Sequence, residues 1–196
     1  MDYQEIKNRL RDKFVGIAGC GGLGSNSAVA LVRTGIINIV LADFDIIHES
    51  NLNRQYYFLN QVGRKKVYAL RDNLMAVNPE INVEVFDTRL DEANLLLIFK
   101  HCDLVIEAFD DATQKHMLIE TFSREMPEKY IISGVGLAGF GNNNALKTSK
   151  FGNIYICGDN ISEVSDENPP LAPRVGVVAC MQANQALELL LRSERI

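Results

Sequence analysis

The sequence predicts an α/β fold, in which a mainly parallel sheet carries helices on both faces and ends in a short antiparallel extension. Three observations support this fold class. Apolar strand-like segments alternate with helical patterns from Phe14 to Ser133, and a glycine-rich turn joins the first strand to the helix after it. The 196 residues are 47% hydrophobic and 23% charged, which is ordinary for a globular protein. We therefore expect residues 1–196 to form a single domain.

The predicted elements have recognisable start and stop signals. Gly35 ends the first long helix, Asn78-Pro79 closes the second, and Asp91 lies near the N-cap of the third. Residues 43–61 have no regular pattern. The predicted strands are residues 14–18, 36–42, 81–86, 104–108 and 130–133, and the predicted helices are residues 22–34, 62–77, 91–100 and 112–122. Their alternating order predicts parallel strands.

The last third of the chain departs from this alternation. Residues 134–144 are rich in glycine and asparagine and are expected to form a loop, before two short strands near 145–148 and 153–157. Residues 158–173 carry three prolines and are expected to form an irregular or mobile crossover. An apolar helix at 175–191 closes the chain, with a surface that suits either the core or a subunit interface.

Bulk composition limits the classes of function. The net charge of −5 and the pI of about 5.3 argue against nucleic acid as the main partner. Residues 1–13 are charged and are expected to form a helix or an arm; they lack the apolar segment of a secretory signal, and no apolar run has the length of a membrane span. The four cysteines have no C-x-x-C spacing, so we expect free thiols, no structural zinc and a cytoplasmic protein.

The turn after the first strand contains the most informative motif. Gly19, Gly21, Gly22 and Gly24 lie between strand and helix in the arrangement of a Rossmann-like nucleotide-binding unit. Backbone N–H groups at the start of such a helix bind phosphate, although glycine-rich turns also serve plain packing. Asp43 ends the next strand nineteen residues after Gly24, where an acidic residue binds ribose hydroxyls; a surface carboxylate is the alternative.

Charged residues later in the chain suggest a triphosphate rather than a second nucleoside. Arg54, within the polar segment 50–55, and Lys66 could neutralise phosphate charge; a solvated loop and a basic helix face are the alternative. Asp110 and Asp111 follow the fourth strand, at the edge of the sheet that faces the ligand crevice. We expect Asp110 to hold Mg²⁺ and Asp111 to contact substrate or to cap the next helix.

Five motifs occur in order along the chain. They are Gly19-x-Gly-Gly-Leu-Gly24, Asp43-Phe-Asp45, Ser50-Asn-Leu-Asn-Arg-Gln55, Val62-Gly-x-x-Lys66 and Asp110-Asp111. Together they resemble the ThiF/MoeB branch of the ubiquitin-activating-enzyme superfamily, above all the short ThiF-type sulfur-carrier adenylyltransferases. Phe140 and the segment 172–183 also resemble that short group, and the resemblance covers about residues 14–190.

The resemblance implies an activity. Members of the family activate the C-terminal glycine carboxylate of a small ubiquitin-like protein. The carboxylate attacks the α-phosphorus of ATP, which gives an acyl-adenylate and pyrophosphate. The implied cofactors are ATP and Mg²⁺, and the implied partner is a ThiS-like sulfur carrier ending in Gly-Gly, used in thiamine synthesis. A homodimer is also implied. Because the reaction needs alignment and relief of charge repulsion more than a strong base, none of the three histidines is required.

The resemblance also implies roles for particular residues. The glycine turn would pack against the adenosine and the α-phosphate. The implied catalytic residues are Arg54, Lys66 and Asp110, with Asp110 as the ligand of a Mg²⁺ that arrives with ATP. The implied nucleotide-binding residues are Gly19, Gly21, Gly22, Gly24, Asp43, Asp45, Asn51, Arg54, Lys66 and Asp111.

The chain departs from the longer relatives in three ways. It lacks their zinc-binding cysteine pairs, and its short N-terminal segment offers only Arg9 or Arg11 as an arginine that could reach a partner subunit's ATP. Its crossover contains no cysteine; Cys157 borders the crossover and is the candidate for a reactive thiol, with buried packing as the alternative. Buried packing is also expected for Cys102 and Cys180, and a steric role for Cys20.

The sequence leaves three other functions open. One is a dehydratase that adenylates a carboxylate on a modified tRNA adenosine, which the acidic balance disfavours. Another is a non-catalytic nucleotide-binding module that docks a ubiquitin-like partner, which the set Arg54, Lys66 and Asp110 disfavours. A nicotinamide dehydrogenase is opposed by the polar segment 50–55 and by the lack of a proton-transfer group near the sheet edge.

Overall fold

The structure, a computed structural model, describes residues 1–192. The strands are β1 (Phe14–Ala18), β2 (Asn38–Asp43), β3 (Asn82–Asp87), β4 (Leu104–Glu107), β5 (Tyr130–Val135), β6 (Lys147–Phe151) and β7 (Ile154–Gly158). The helices are α1 (Tyr3–Leu10), α2 (Gly22–Thr34), α3 (Lys66–Val77), α4 (Glu92–Phe99), α5 (Ala112–Glu125) and α6 (Ala172–Arg192). Within residues 1–192, no helix combines the length and the apolar character needed to cross a membrane.

One seven-stranded sheet has the order β3-β2-β1-β4-β5-β7-β6, and its neighbours are parallel except for β6 and β7. From β1 the chain adds β2 and β3 on one side, and then crosses to add β4 and β5 on the other. Ligands of such sheets bind where the strand order reverses, beyond the carboxyl ends of the strands. The predicted α/β class, with a mainly parallel sheet and an antiparallel extension, is confirmed.

Helices bury both faces of the sheet. Ile17 packs on one face with the cores of α2, α3 and α6, whereas Val40 packs on the other with Phe99 of α4 and Phe122 of α5. The central strands are therefore nearly continuous apolar runs. A Cβ atom at Gly16 would lie 2.5 Å from the Phe99 ring, so α4 packs directly against the backbone of β1.

Several element boundaries differ from the sequence predictions; α6, for example, begins at Ala172 rather than at residue 175. Two of the differences have a visible cause. β2 begins at Asn38 rather than at residue 36, because the Ile36 N–H still donates a hydrogen bond to the last turn of α2. α3 begins at Lys66 rather than at residue 62. The Gly63 N–H donates to the Ile47 carbonyl over 2.8 Å and Lys65 pairs with Ile46, so residues 62–65 form a turn bonded to the segment after β2 instead of the first turn of the helix.

Candidate functional site

The glycine turn connects β1 to α2 at the centre of the carboxyl edge. Gly19 has a φ of 93°, which only glycine adopts freely, and a Cβ atom at Gly24 would lie 1.9 Å from the Gly19 carbonyl oxygen. Gly21 is the N-cap of α2, and among residues 1–192 no side chain caps the helix there. The first N–H groups of a 13-residue helix are thus available at this edge. This is the geometry of a phosphate site.

Asp43 connects the end of β2 to this turn. Its Oδ2 accepts a hydrogen bond from the Cys20 N–H at 2.6 Å, and its Oδ1 accepts one from the Asp45 N–H at 2.7 Å. Burial raises the pKa of Asp43, although Lys66 and the two backbone hydrogen bonds oppose the shift. Each carboxylate oxygen keeps acceptor capacity beyond its backbone bond, so Asp43 can also accept hydrogen bonds from ribose hydroxyls.

Lys66, the first residue of α3, extends towards the same edge. Its ammonium is 2.7 Å from Oδ2 of Asp45, and the Lys66 side chain is only 8% exposed whereas that of Asp45 is 47% exposed. The neighbouring Lys65 bonds the Phe44 carbonyl at 2.7 Å and Asp87, at the end of β3, at 2.9 Å. Lys65 therefore joins the ends of β2 and β3, whereas Lys66 pairs with the carboxylate that follows β2. The structure places Lys66 with Asp43 and Asp45, as the motifs require.

Arg54 reaches the glycine turn from the segment between β2 and α3. Its Cγ lies 3.5 Å from the position of a Cβ at Gly22, and Asn26 of α2 donates to both the Gly22 and Arg54 carbonyls. The Arg54 guanidinium bonds the Asn53 side chain at 2.8 Å. Asn51 is used locally, since its Oδ1 accepts the His48 N–H at 3.0 Å. Arg54 is thus at the phosphate end, whereas Asn51 stabilises the turn that carries it.

Asp110 and Asp111 follow β4, and the structure separates their roles. Asp111 is the N-cap of α5 and accepts the Gln114 N–H at 2.9 Å, which is the helix-capping alternative of the sequence analysis. Asp110 is exposed, and within residues 1–192 its carboxylate makes no hydrogen bond or ion pair. The chain just before it touches the turn, because a Cβ at Gly19 would lie 3.0 Å from the Ala108 carbonyl oxygen.

The donor set at this edge fits a magnesium ion that is shared with a ligand. Mg²⁺ is commonly held by one or two carboxylates, water and substrate phosphates, and Asp110 is a free carboxylate beside a phosphate site. Residues 1–192 contain no group of three or more histidine, cysteine, aspartate or glutamate side chains placed to hold a metal on their own. Asp110 would therefore bind the ion together with phosphate oxygens.

A shallow cavity of about 360 Å³ lies at the same edge, beyond β3 and β4. Arg89 lines it and also extends over the ring of Phe44, next to Asp43. The lining residues are Arg89, Leu90, Asp91, Glu92, Gln114 and Met117. Four of these residues are polar or charged, and Leu90 and Met117 are apolar, so the cavity offers both hydrogen bonds and apolar contact to a ligand.

The crossover between β7 and α6 is irregular, as expected, but it is tied down. The Arg174 guanidinium bonds Oδ2 of Asp159 at 2.5 Å and the Gly141 carbonyl at 2.6 Å, and each side chain of the ion pair is 5% exposed. The Gly139 N–H donates to the Pro169 carbonyl at 3.0 Å. The crossover thus packs against the loop after β5. The first turn of α6, which follows the crossover, reaches the glycine turn, since Val175 lies 2.9 Å from the position of a Cβ at Gly22.

The cysteines divide into three buried thiols and one exposed thiol. Cys157 is fully buried, with Thr148 Oγ1 at 3.5 Å, and burial raises its pKa, so its environment disfavours a reactive thiolate. Cys20 and Cys102 are also buried. The expected burial of Cys180 is wrong, because this residue lies on the outward row of α6.

Sequence reasoning missed two buried ion pairs near the site, Glu107 with Lys115 and Asp159 with Arg174. A signal for the first was present, since Glu107 interrupts an apolar strand and charged residues are rarely fully buried without a partner. Arg174, near the start of an apolar helix, is a similar signal. Neither pattern identifies the partner, which lies 8 residues away in one pair and 15 in the other.

Comparison with known proteins decides the family. The model of the ThiF family matches residues 3–196. The chain belongs to the ThiF family. It is 30% identical over 190 residues to the molybdopterin-synthase adenylyltransferase of Escherichia coli, covering 92% of this chain and 74% of that protein. It is 28% identical over 193 residues to a probable molybdopterin-synthase adenylyltransferase of Porphyra purpurea, covering 95% of this chain but only 50% of the relative.

Solved structures agree on the fold of this family member. The E. coli tRNA N6-threonylcarbamoyladenosine dehydratase, solved in complex with AMP, has a TM-score of 0.86 and 21% identity, over 95% of this chain and 89% of the other. E. coli MccB, solved with ATP, has a TM-score of 0.72 and 23% identity, over 94% and 58% of the two chains. The ThiF-family assignment made from the five motifs is confirmed.

Proposed function

We propose that this chain transfers the adenylyl group of ATP to the C-terminal carboxylate of a small ubiquitin-like carrier protein that ends in Gly-Gly, releasing pyrophosphate. One observation carries the proposal. The uncapped start of α2, the partly buried Asp43, the cations Arg54 and Lys66 and the free carboxylate of Asp110 meet at one edge of the sheet. The relatives named as adenylyltransferases support the same reaction.

The nucleotide would lie across this edge in one direction. Asp43 would accept the ribose hydroxyls, which places the base in the cavity beside Arg89 and Met117. The α-phosphate would then lie against the glycine turn, and the remaining phosphates would reach Arg54. Asp45 would bound the ribose side, and the Lys66 ammonium that it pairs with would face the phosphates. ATP binding by structural neighbours is consistent with this placement.

The chain's own groups account for the chemistry. The nucleophile is a carboxylate that is already ionised at neutral pH, so no general base is needed. What limits the reaction is repulsion between this anion and the triphosphate, which the α2 N–H groups, Arg54 and Lys66 reduce. Asp110 would hold Mg²⁺, which supplies further charge neutralisation to the leaving pyrophosphate. The rigid turn aligns the phosphorus for attack.

The carrier tail would enter beside the loop after β5, beneath the crossover that Asp159 and Arg174 hold in place. The carriers to test first are a ThiS-like protein of thiamine synthesis and the sulfur carrier of molybdopterin synthesis. We further propose that the chain forms one domain and acts as a cytoplasmic homodimer, in which Arg9 or Arg11 reaches the partner's nucleotide.

Exchange of labelled pyrophosphate into ATP tests the function. We expect exchange only when a Gly-Gly-ended carrier is present, and none when the last glycine of the carrier is deleted or when tRNA replaces the carrier. Arg54→Ala and Asp110→Ala should each abolish exchange while leaving the core intact, because the first removes a cation at the phosphates and the second removes the carboxylate that would hold Mg²⁺. The proposal would be refuted by a folded preparation that binds ATP but shows no pyrophosphate exchange with any Gly-Gly-ended carrier.

A further inference from the structure

A buried cluster of polar groups lies directly beneath Asp110. Glu107, the last residue of β4, is fully buried, and its Oε1 accepts the Phe109 N–H at 2.8 Å. Its Oε2 accepts hydrogen bonds from the Lys115 ammonium and from Ser133 Oγ, the latter at 2.5 Å. The carboxylate therefore controls the path of the chain that leaves β4 towards Asp110.

Lys115 connects this carboxylate to the next strand. Besides Glu107, its ammonium bonds Ser133 Oγ at 3.3 Å and the Gly134 carbonyl at 3.2 Å, both near the end of β5. Only 20% of the Lys115 side chain is exposed. One cation on α5 thus joins the carboxyl ends of β4 and β5.

Two further elements contact the cluster. Gln182 of α6 donates from Nε2 to the Glu107 and Ile132 carbonyls, each at 3.0 Å. Leu23, in the first turn of α2, lies 2.6 Å from the position of a Cβ at Gly134. The cluster is therefore in contact with the glycine-turn helix on one side and with the Asp110 segment on the other.

Stability alone does not account for a charged pair at this place. A buried ion pair is often no more stabilising than apolar residues of the same volume, because both charges lose their hydration. An apolar residue at 107 would continue the apolar pattern of β4, but it would leave the Phe109 N–H without its acceptor. The pair therefore fixes the backbone conformation just before Asp110, the proposed ligand of the metal.

We propose that Lys115 is a positioning residue: through Glu107 and Gly134 it holds Asp110 at the distance from the glycine turn that a magnesium-bound triphosphate needs. The inference rests on the proposed function and deepens it. It separates two properties that the site combines. Metal-free ATP contacts the turn and Asp43 and should not need Lys115, whereas the gain in affinity from Mg²⁺, and the chemical step, should depend on it.

ATP affinity measured with and without Mg²⁺ tests this separation without any carrier. In Lys115→Met we expect metal-free affinity within about threefold of the wild type and most of the gain from Mg²⁺ to be lost, as in Asp110→Asn. Carrier-dependent exchange should fall about 100-fold in kcat with little change in KM for the carrier, which is the cost of a reacting group misplaced by about 1 Å. Lys115→Arg, which keeps the charge and the donors, should recover most of both.

Lys129 offers a matched control. It is also buried, and its ammonium bonds the Lys100 carbonyl at 3.0 Å at the far end of β4, away from the site. Lys129→Met should lower stability but leave the Mg²⁺ gain and kcat unchanged. If Lys115→Met does not fold, Glu107→Gln/Lys115→Met removes both charges together and should show the same loss of the Mg²⁺ gain.

The proposal is contradicted if the folded Lys115 variant, or the folded double variant, keeps the full Mg²⁺ gain. It is equally contradicted if the wild type binds ATP alike with and without Mg²⁺. Failure of the proposed function looks different: the wild type would show the Mg²⁺ gain, and its loss in Lys115→Met, but no exchange with any carrier.

Discussion

Replacing Arg174 with methionine tests how the crossover is held over the site. Arg174 is the third residue of α6, and its guanidinium bonds Asp159 after β7 and the Gly141 carbonyl in the loop after β5. Methionine fills a similar volume without charge or donors. The substitution therefore releases three segments from one another while leaving the apolar side of α6 intact.

The magnitude follows from burial. Breaking a buried ion pair by removing one partner costs about 3–5 kcal/mol. Asp159 keeps hydrogen bonds from the Ile161 and Ser162 N–H groups at 2.9 Å and from the Ser162 hydroxyl, so the lower end applies. Within the described residues, the Arg174 Nε has no partner even in the wild type, which also limits the loss. We expect Arg174→Met to lower the free energy of unfolding by about 3 kcal/mol.

Urea unfolding at neutral pH measures this loss. Asp159→Asn/Arg174→Met should lose less than the sum of its single variants, with a coupling of about 2 kcal/mol. Arg124→Met is the matched control, because Arg124 pairs with Glu92 and Glu125 at the surface and its removal should leave the stability nearly unchanged. A loss below about 1 kcal/mol for Arg174→Met would show that the buried ion pair does not hold these three segments together.

Acid should weaken the same contact. Burial by itself raises the pKa of Asp159, but hydrogen bonds from Ser162 and Ile161 and the charge of Arg174 outweigh it and lower the pKa to about 2. Protons then bind the unfolded chain, with its ordinary pKa of about 3.9, before they bind the folded one. The stability that this carboxylate contributes is complete above about pH 5 and is lost as the pH falls from about 4 to about 2. Asp159→Asn should remove that part of the pH dependence; an identical acid profile would contradict the assignment.

Three further outcomes are expected. Gly24→Ala should weaken ATP binding about tenfold or more, because its methyl group would lie 1.9 Å from a turn carbonyl oxygen. At Gly176 no atom lies within 4 Å, so Gly176→Ala should raise the free energy of unfolding in urea by about 0.5 kcal/mol. Equal effects of the two substitutions on ATP binding would contradict the turn geometry. A thiol reagent should label Cys180 alone in the native protein, since the other three thiols are buried, and rapid labelling of a second thiol would count against this packing. Asp43→Asn should weaken ATP binding about tenfold by calorimetry, because an amide cannot accept both backbone N–H groups and ribose hydroxyls; unchanged affinity would remove the ribose role.

The sequence predicts the fold class and the edge of the sheet where candidate site residues gather. The reason is geometrical: parallel strands end at one edge, so residues after β1, β2 and β4 come together whatever the loops do. The glycines report backbone constraints directly, and Gly19 and Gly24 do have the conformation and the close contact that require glycine.

Features that depend on tertiary contacts cannot be predicted from local sequence patterns. Val62 continues an apolar helical pattern, but the bond from the Gly63 N–H to the Ile47 carbonyl keeps residues 62–65 in a turn outside α3. Glu107 is conspicuous within an apolar strand, yet nothing local says that a lysine of the following helix neutralises it. The outward position of Cys180 depends on which row of α6 meets α2, and the polar pattern does not specify that row because Gln182 and Gln185 are themselves buried.

Transfer of label from ATP to a carrier shows directly whether this chain adenylates a carrier protein. ATP labelled at the α-phosphorus, or in a parallel reaction at the γ-phosphorus, is incubated with this chain and a Gly-Gly-ended carrier. We expect α-label alone to appear on the carrier, hydroxylamine to release it as AMP, and Arg54→Ala to prevent its transfer. Label on the carrier from the γ-phosphorus, or no label from either position in a preparation that binds ATP, would contradict adenylation of the carrier by this site.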